Sequence, residues 1–330
     1  MRVCVTGGAG YVGSHMVSTL RRAGHRVVVL DDLSGGHRDA VPAGVPLVVA
    51  NVADASAVSA TLREHRVEAI LHFASRIQVG ESVTHPRLYY TSNLAASMAL
   101  VDTALDAGVK RFILSSTAAV YGVPTSVPIE EDHPAAPVNP YGETKLATER
   151  MLAAYSSAYG LRYAALRYFN ASGADPESPH LGERHSPETH LVPILLETAL
   201  GVRPHVTVFG TDYPTPDGTC LRDYVHVLDL CDAHLAALEY LARGGESAAF
   251  NLGTGQGHSV KEVLDAALRV TGRPIPVVYG PRRAGDPPAL VASCGRAERV
   301  LGWRARRSSI DEIVSNAWSF HLRAHGQGHG

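Results

Sequence analysis

Tyr141 and Lys145 stand four residues apart in "NPYGETKLATER" (139–150), where Asn139 can cap a helix and Pro140 suits its first turn. Residues four apart on a helix project from one face, so the phenol and the ammonium would lie side by side. In isolation such a pair reads by default as an aromatic and a cation on a solvated face. The chemical alternative is a tyrosine whose pKa, near 10 unperturbed, falls under the neighbouring positive charge until the phenol exchanges protons near neutral pH. Something nearby must need that proton. "LSSTAAVYG" offers three hydroxyls, Ser115, Ser116 and Thr117, and one of them could orient a substrate alcohol.

A second constellation opens the chain. "VTGGAGYVGSH" carries glycines at 7, 8, 10 and 13, which satisfy G-x-G-x-x-G between an apolar run and an amphipathic one. Glycines there permit a tight turn and let backbone N–H groups approach a diphosphate at a helix N-terminus. Asp31 ends the next apolar run, 18 residues after Gly13. A carboxylate at that place accepts hydrogen bonds from ribose hydroxyls and repels a 2′-phosphate, which favours NAD over NADP. An alcohol beside a nicotinamide ring can lose hydride from carbon and its proton to a base. Tyr141 is the natural base, and Lys145 would favour its phenolate while holding the nicotinamide ribose.

These groups need strands and helices in alternation to hold them, and the first half supplies that order. "RVCVT" reads as a strand, followed by a helix from Tyr11 to Ala23. "HRVVVLDD" and "VPLVVA" are strands, and a helix from Asp54 to about His65 leads into the strand "EAILHFA". A helix over roughly Pro86 to Ala107 precedes the strand "KRFILSSTAAVYG". The helix of "NPYGETK" runs to about Tyr159, and "RYAALRYFN" is a further strand. Apolar strands alternating with helices predict an α/β fold, a Rossmann-like doubly wound parallel sheet covered on both faces. From about Ala171 proline and glycine become dense, which predicts a smaller mixed α/β lobe. The expected division is residues 1–169 for the cofactor and 170–330 for the substrate, with later segments able to return to the first lobe.

Composition narrows the partners. The 330 residues are 45% hydrophobic and 19% charged, ordinary for a soluble protein with a large core. Thirty Lys plus Arg against 32 Asp plus Glu give a formal charge of −2, no footprint for nucleic acid or an anionic membrane. The four cysteines lack C-x-x-C spacing and the 17 histidines are scattered, so no metal site is expected and a reducing compartment is. The chain runs straight into a strand, leaving no room for a signal peptide, and no apolar run is long enough to span a membrane. A cytoplasmic location is expected.

The collinear motifs "VTGGAGYVGSH", "HFASRIQVGESV", "SSTAAVYG", "NPYGETK", "LRYFNASGA", "YPTPDGTCLRDYVHV", "NLGTG" and "RRAGDPPA" cover most of the chain. Together they resemble the extended short-chain dehydrogenase/reductase family, and within it the UDP-glucose 4-epimerases. The resemblance implies Thr117, Tyr141 and Lys145 as catalytic residues. It implies cofactor contacts from Gly7, Gly10, Tyr11, Val12, Gly13, Asp31, Phe73, Ala74 and Phe169, with Tyr141 and Lys145 shared. Nucleotide-sugar contacts map onto Asn170, Phe209, Arg222, Arg283 and Asp286, with Thr117 and Tyr141 at the hexose. Planar guanidinium groups suit the phosphate oxygens of a UDP diphosphate. Four positions depart from the pattern. Ile77, beside Arg76, replaces a frequent lysine, Asn51 an aspartate near the adenine, Ser92 an asparagine, and His190 an asparagine that binds substrate.

The reaction implied is interconversion of UDP-glucose and UDP-galactose by transient oxidation at hexose C4, with NAD retained. In the family, the position four beyond the aspartate of "RRAGD" borders the hexose, and here it is Leu290, apolar and intermediate in bulk. Plain hexoses are therefore expected to fit better than 2-acetamido sugars, although epimerisation of an N-acetylhexosamine or pentose is the near alternative. Sugar-nucleotide dehydratases and decarboxylases add carboxylates directly after the catalytic threonine. Ala118 and Ala119 supply no such acid or base. A non-catalytic NAD-binding regulator would be expected to have lost the tyrosine or the lysine. The resemblance also implies a homodimer through the helices near 93–107 and 141–159.

Overall fold

Unbroken apolar runs at the amino terminus become interior parallel strands, because only a strand covered on both faces can bury every side chain it carries. The computed structural model describes residues 1–283 and 286–326. Strand β1 (Arg2–Thr6) and helix α1 (Tyr11–Arg22) are followed by β2 (Arg26–Asp31), β3 (Leu47–Val49), α2 (Ala55–Glu64) and β4 (Ala69–His72). Then come α3 (Val79–Thr84), α4 (Pro86–Tyr89), α5 (Ala96–Asp106), β5 (Arg111–Thr117), α6 (Pro140–Tyr159), β6 (Arg162–Tyr168) and β7 (Asn170–Ser172).

The second half adds α7 (Leu191–Ala199), β8 (Val206–Phe209), β9 (Leu221–Arg222), β10 (Tyr224–His226), α8 (Val227–Ala242) and β11 (Ala248–Leu252). It closes with β12 (His258–Ser259), α9 (Val260–Thr271), β13 (Val277–Gly280), β14 (Ala289–Leu290), α10 (Gly295–Leu301) and α11 (Ile310–Gly326).

Seven strands form one sheet in the order β11-β6-β5-β4-β1-β2-β3, every pair parallel. The order reverses between β1 and β4, which places a crevice at their C-terminal ends. Met16, Val17 and Leu20 of α1 meet Leu230, Leu238 and Leu241 of α8 on one face of the sheet. Val58 and Leu62 of α2 meet Leu100 and Val101 of α5 and Leu152 of α6 on the other. Two segments of the second half, α8 and β11, thus belong to this first layer. The remainder makes three small sheets, β10–β7, β12–β9–β14 and β13–β8, beside a cluster shared by α7, α9 and α11.

Two elements differ from the sequence reading. The strand expected to run through "TAAVYG" stops at Thr117, because the Thr117 hydroxyl accepts the Ala119 N–H at 3.1 Å and starts a 3-10 turn over Ala118–Tyr121. The single helix expected over 86–107 is α4, a π turn over Tyr90–Ala95, and α5. The wide turn carries Asn93 inward, where its side chain accepts from Arg76 N–H at 2.8 Å and donates to Arg76 C=O at 2.9 Å. That local widening closes the chain behind the end of β4. Among the described residues, no helix is long and apolar enough to cross a membrane.

Candidate active site

The glycine turn is shaped by contacts that admit no side chain. Gly7 has φ +73°, and a Cβ there would stand 2.4 Å from Ala74 N. One on Gly13 would stand 2.0 Å from the Gly7 carbonyl oxygen, so the first turn of α1 rests directly on the loop. The N-cap is Gly10, with no side-chain cap, and the leading N–H groups of α1 keep the positive end of the helix open to an anion. Phe73 and Ala74, which follow β4, back the same turn, Phe73 N–H donating to Thr6 C=O at 2.8 Å. Tyr11, followed by Val12, donates its hydroxyl to Gly173 C=O at 2.6 Å and ties α1 to the chain beyond β7.

Asp31 is buried at the end of β2 and accepts from Ala9 N–H at 2.9 Å and Leu33 N–H at 2.8 Å. Burial raises its pKa, and the two N–H groups hold it back in part. The carboxylate is therefore aimed by backbone rather than by a cation. Asn51 follows the adjacent strand β3 and donates to Asp32 Oδ2 at 2.8 Å, bracing the loop that follows β2. The residues present fit a dinucleotide: a turn no Cβ could enter, an uncapped helix end and an oriented carboxylate lie in one crevice.

The candidate catalytic residues sit on β5, two strands over from β1, and on α6. Thr117 ends β5, and its hydroxyl acts on the buried Tyr141 phenol of α6, lowering its pKa in part. Asn139 caps α6, its side chain accepting Gly142 N–H at 2.9 Å, and Tyr141, Lys145 and Glu149 then recur at four-residue spacing toward the sheet. Lys145 is 4% exposed, and its Nζ donates to Ser115 C=O at 2.9 Å. The phenol depressed by a neighbouring ammonium is not what the structure holds. Burial pushes Tyr141 up to about 12, with Thr117 lowering it only in part, and burial brings Lys145 down to about 8 against the pull of Glu149. Desolvation of both groups outweighs their proximity.

The expected sugar-side residues fall into two groups. Leu290 pairs with Arg222 in the β14–β9 register, and Asn170 N–H donates to Asp223 C=O at 3.0 Å. Arg222 Nη2 makes an ion pair with Asp286, and its Nη1 donates to Pro287 C=O at 3.0 Å. Phe169 and Leu290 both pack on Ala118, Val120 and Leu146, so this group adjoins the catalytic strand. The second group is Arg283 over the Phe209 ring, 4.1 Å from its centroid. Ala284 and Gly285 of the same loop lie outside the described residues.

His190 precedes α7, its ring bonded to Glu188 at 2.7 Å, and lines a small cavity with Tyr11, Ala171, Gly173 and Glu183. Glu183, His185 and His190 offer donor atoms within 4.8 Å of one another, a cluster not anticipated from the scattered histidines. Burial disfavours charge on all three, yet the Glu183–His185 hydrogen bond lowers Glu183 and raises His185, and a hydrogen bond to Glu188 with the charge of Glu183 raises His190.

Sequence reasoning passed over Glu149, Arg167 and His72. Glu149 was findable, since it follows Lys145 by four residues. Arg167 and His72 are brought in only by strand pairing.

This arrangement has close counterparts. A family model described as the NAD dependent epimerase/dehydratase family matches residues 3–253. A UDP-glucose 4-epimerase of Halalkalibacterium halodurans is 48% identical over 321 residues, 97% of this chain and 96% of that protein. The crystal structure of UDP-glucose 4-epimerase from Brucella ovis in complex with NAD superposes with a TM-score of 0.94 at 46% identity, covering 96% of this chain and 97% of that one. The enzyme from Bifidobacterium longum in complex with NAD+ and UDP gives 0.91 at 35% identity, with 98% of each chain covered.

Proposed function

We infer the reaction from one premise: this chain belongs to the NAD dependent epimerase/dehydratase family. It is an isomerase, a UDP-glucose 4-epimerase that interconverts UDP-glucose and UDP-galactose with NAD. The observation that carries this reading is the seating of α6 on the end of β5: the Asn139 cap starts the helix that bears Tyr141, and buried Lys145 one turn on is held by Ser115 C=O, two residues before Thr117.

NAD held on Gly7, Gly10, Gly13 and Asp31 supplies the hydride acceptor for hexose C4, and returns that hydride. Thr117 orients the C4 hydroxyl. Tyr141 takes its proton and later gives it back, so the enzyme ends each cycle as it began. Burial holds the phenol of Tyr141 high, and Lys145, one helical turn away and held on Ser115 C=O, is the cation that would stabilise the phenolate as it forms. Arg222, aimed by Asp286, and Arg283, braced on Phe209, hold the diphosphate. Grip at that end leaves the hexose free to turn and present its other face. Phe169 borders the cofactor, Asn170 and Leu290 border the sugar, and His190 stands on the substrate side. Ala118 is buried directly after Thr117, so no second acid stands where elimination would need one.

Purified protein given UDP-galactose alone tests this reading. Formation of UDP-glucose without added NAD is expected, because a cycle with no net redox change needs no cofactor exchange. No product, or bound NADP in place of NAD, overturns it.

Two copies pair through α5 and α6 in this reading. Met98 on α5 and Tyr159 on α6 are exposed, and Leu88 and Tyr90 extend the apolar surface. Light scattering at micromolar concentration should report a dimer, and a monomer would refute the pairing. A cytoplasmic setting suits the four cysteines, none of them in a disulfide.

A further inference from the structure

Beneath the proposed catalytic pair lies a buried charge network that the reaction as derived does not use. Glu149 is 5% exposed on α6, one helical turn beyond Lys145 on the same face. Its Oε1 accepts from the Ser116 hydroxyl at 2.5 Å. Arg167 on β6 grips both carboxylate oxygens, Nε lying at 3.0 and 3.1 Å and Nη2 at 2.5 Å. The same guanidinium donates to the Tyr121 hydroxyl at 2.9 Å and to Glu131 C=O at 3.2 Å. The Tyr121 hydroxyl in turn donates a hydrogen bond to Asn251 Oδ1 at 2.6 Å, on the strand returning from the second half of the chain. Ser116 lies between Ser115, whose carbonyl receives Lys145, and Thr117, which meets Tyr141.

We propose that Glu149 is a positioning residue for the epimerisation: gripped by Arg167 and bonded to Ser116, its carboxylate fixes the charge of Lys145 and the seating of α6 on β5. The inference rests on the acid–base reading of Tyr141 and Lys145. Two buried cations and one buried anion share this spot, and the anion is the group that makes a charged Lys145 tolerable away from water. The groups facing Lys145 are few. On its own helix they are Tyr141 and Glu149, and on β5 the Ser115 carbonyl. From β4 comes His72, kept neutral by burial and by Lys145 itself and bonded to Thr6 and Ser97. From β6 come Arg167 and Tyr168, the latter bonded to Ser115 Oγ at 2.5 Å. Glu149 is the one carboxylate among them. Burial lowers Lys145, and Glu149 is the charge that opposes it.

The pH dependence of kcat in the NAD-loaded enzyme distinguishes this role from simple support. Loss of the Lys145 proton should set the alkaline limb. Glu149→Gln keeps the shape and the hydrogen-bond acceptor but removes the charge, so the limb should move down by about one unit. KM for the UDP-sugar should stay within about twofold, since Glu149 does not touch the substrate. Glu149→Asp, which keeps the charge, should restore the parent limb. Should the Gln variant fail to fold, Arg167→Gln tests the same idea in the opposite direction, because losing the competing cation should move the limb up. An alkaline limb unmoved in a folded Gln variant, or a downward move in Arg167→Gln, overturns the proposal. A parent protein with no epimerase activity overturns the underlying reading instead.

Discussion

The cofactor side and the sugar side of this molecule are built by different means. On the cofactor side the shape is set by backbone: the glycine turn, the uncapped N-terminus of α1 and a carboxylate aimed by two N–H groups. It stands on a seven-stranded parallel sheet buried on both faces. On the sugar side the shape is set by side chains on strands two to four residues long, β8, β9 and β14, with Arg222 tied to Asp286 and Arg283 lying over Phe209. Backbone geometry in a rigid layer suits a ligand that stays. Ion pairs and ring contacts on short strands can loosen and reform, which suits a ligand that enters, turns and leaves.

The sharpest test falls where the two sides meet. Tyr141→Phe removes the proposed acid–base hydroxyl and should reduce kcat by roughly 10²–10⁴-fold, the ordinary worth of a placed acid–base group. UDP affinity measured by calorimetry should hardly change. Near-normal turnover would place the proton transfer elsewhere.

Next in size is the backbone cradle. Gly13→Ala puts a methyl 2.0 Å from the Gly7 carbonyl oxygen, so the turn itself must move. Overpacking of this kind costs about 1–3 kcal/mol, which, taken up in the cofactor cradle, corresponds to about 5- to 150-fold weaker NAD binding. The variant should purify with little NAD and recover activity when NAD is added. Full retention of cofactor would show that the cradle tolerates displacement and that the contrast drawn above is overstated.

Acid should act on the sheet and its covering helices before it acts on the loop that bears His185 and His190. Burial lowers His15, His226 and His234 to about 4, and burial with Lys145 lowers His72 to about 3. An unfolded histidine titrates near 6.5. The unfolded chain therefore binds more protons below that pH, so the stability these residues contribute is complete above about 6.5 and is lost as pH falls toward 4. Melting temperature should drop on the order of 10 °C across that window. His185 and His190 carry the opposite sign, being raised, so their contribution is present at low pH and fades as pH rises through their folded values. Both are partly exposed, and the effect is correspondingly small. A melting temperature flat from pH 7 to 4 would contradict the burial of the four core histidines.

The smallest effect expected is at the sugar wall. Leu290 packs with Phe169 against the residues that follow Thr117, and its apolar end offers a 2-acetamido group no hydrogen bond. Burying that amide unpaired costs about 1–3 kcal/mol. Leu290→Gly should raise kcat/KM for UDP-N-acetylhexosamines relative to UDP-hexoses several-fold. Equal values for both sugar classes in the parent protein would show that other residues shape the pocket.

Much of this was legible in residue order. Glycines at fixed spacing between an apolar run and a helix, an aspartate ending the next run, and Asn-Pro before Tyr-x-x-x-Lys are local patterns, and each specifies a local backbone form. That is why β1, α1, β2 and α6 are found within a residue or two of their expected ends. Local order does not report what desolvates a side chain. Tyr141 and Lys145 are adjacent as their spacing requires, yet burial under β5 sends the phenol up rather than down. Nor does it report partners fixed by strand pairing. Arg167 reaches Glu149 because β6 lies beside β5, and Asn251 reaches Tyr121 because β11 returns from the far half of the chain. The widened turn at 90–95 is legible only where Asn93 meets Arg76. Sequence determined which groups could do chemistry and which backbone would carry them. Tertiary structure decided their charge, because charge depends on how much water the surrounding elements leave.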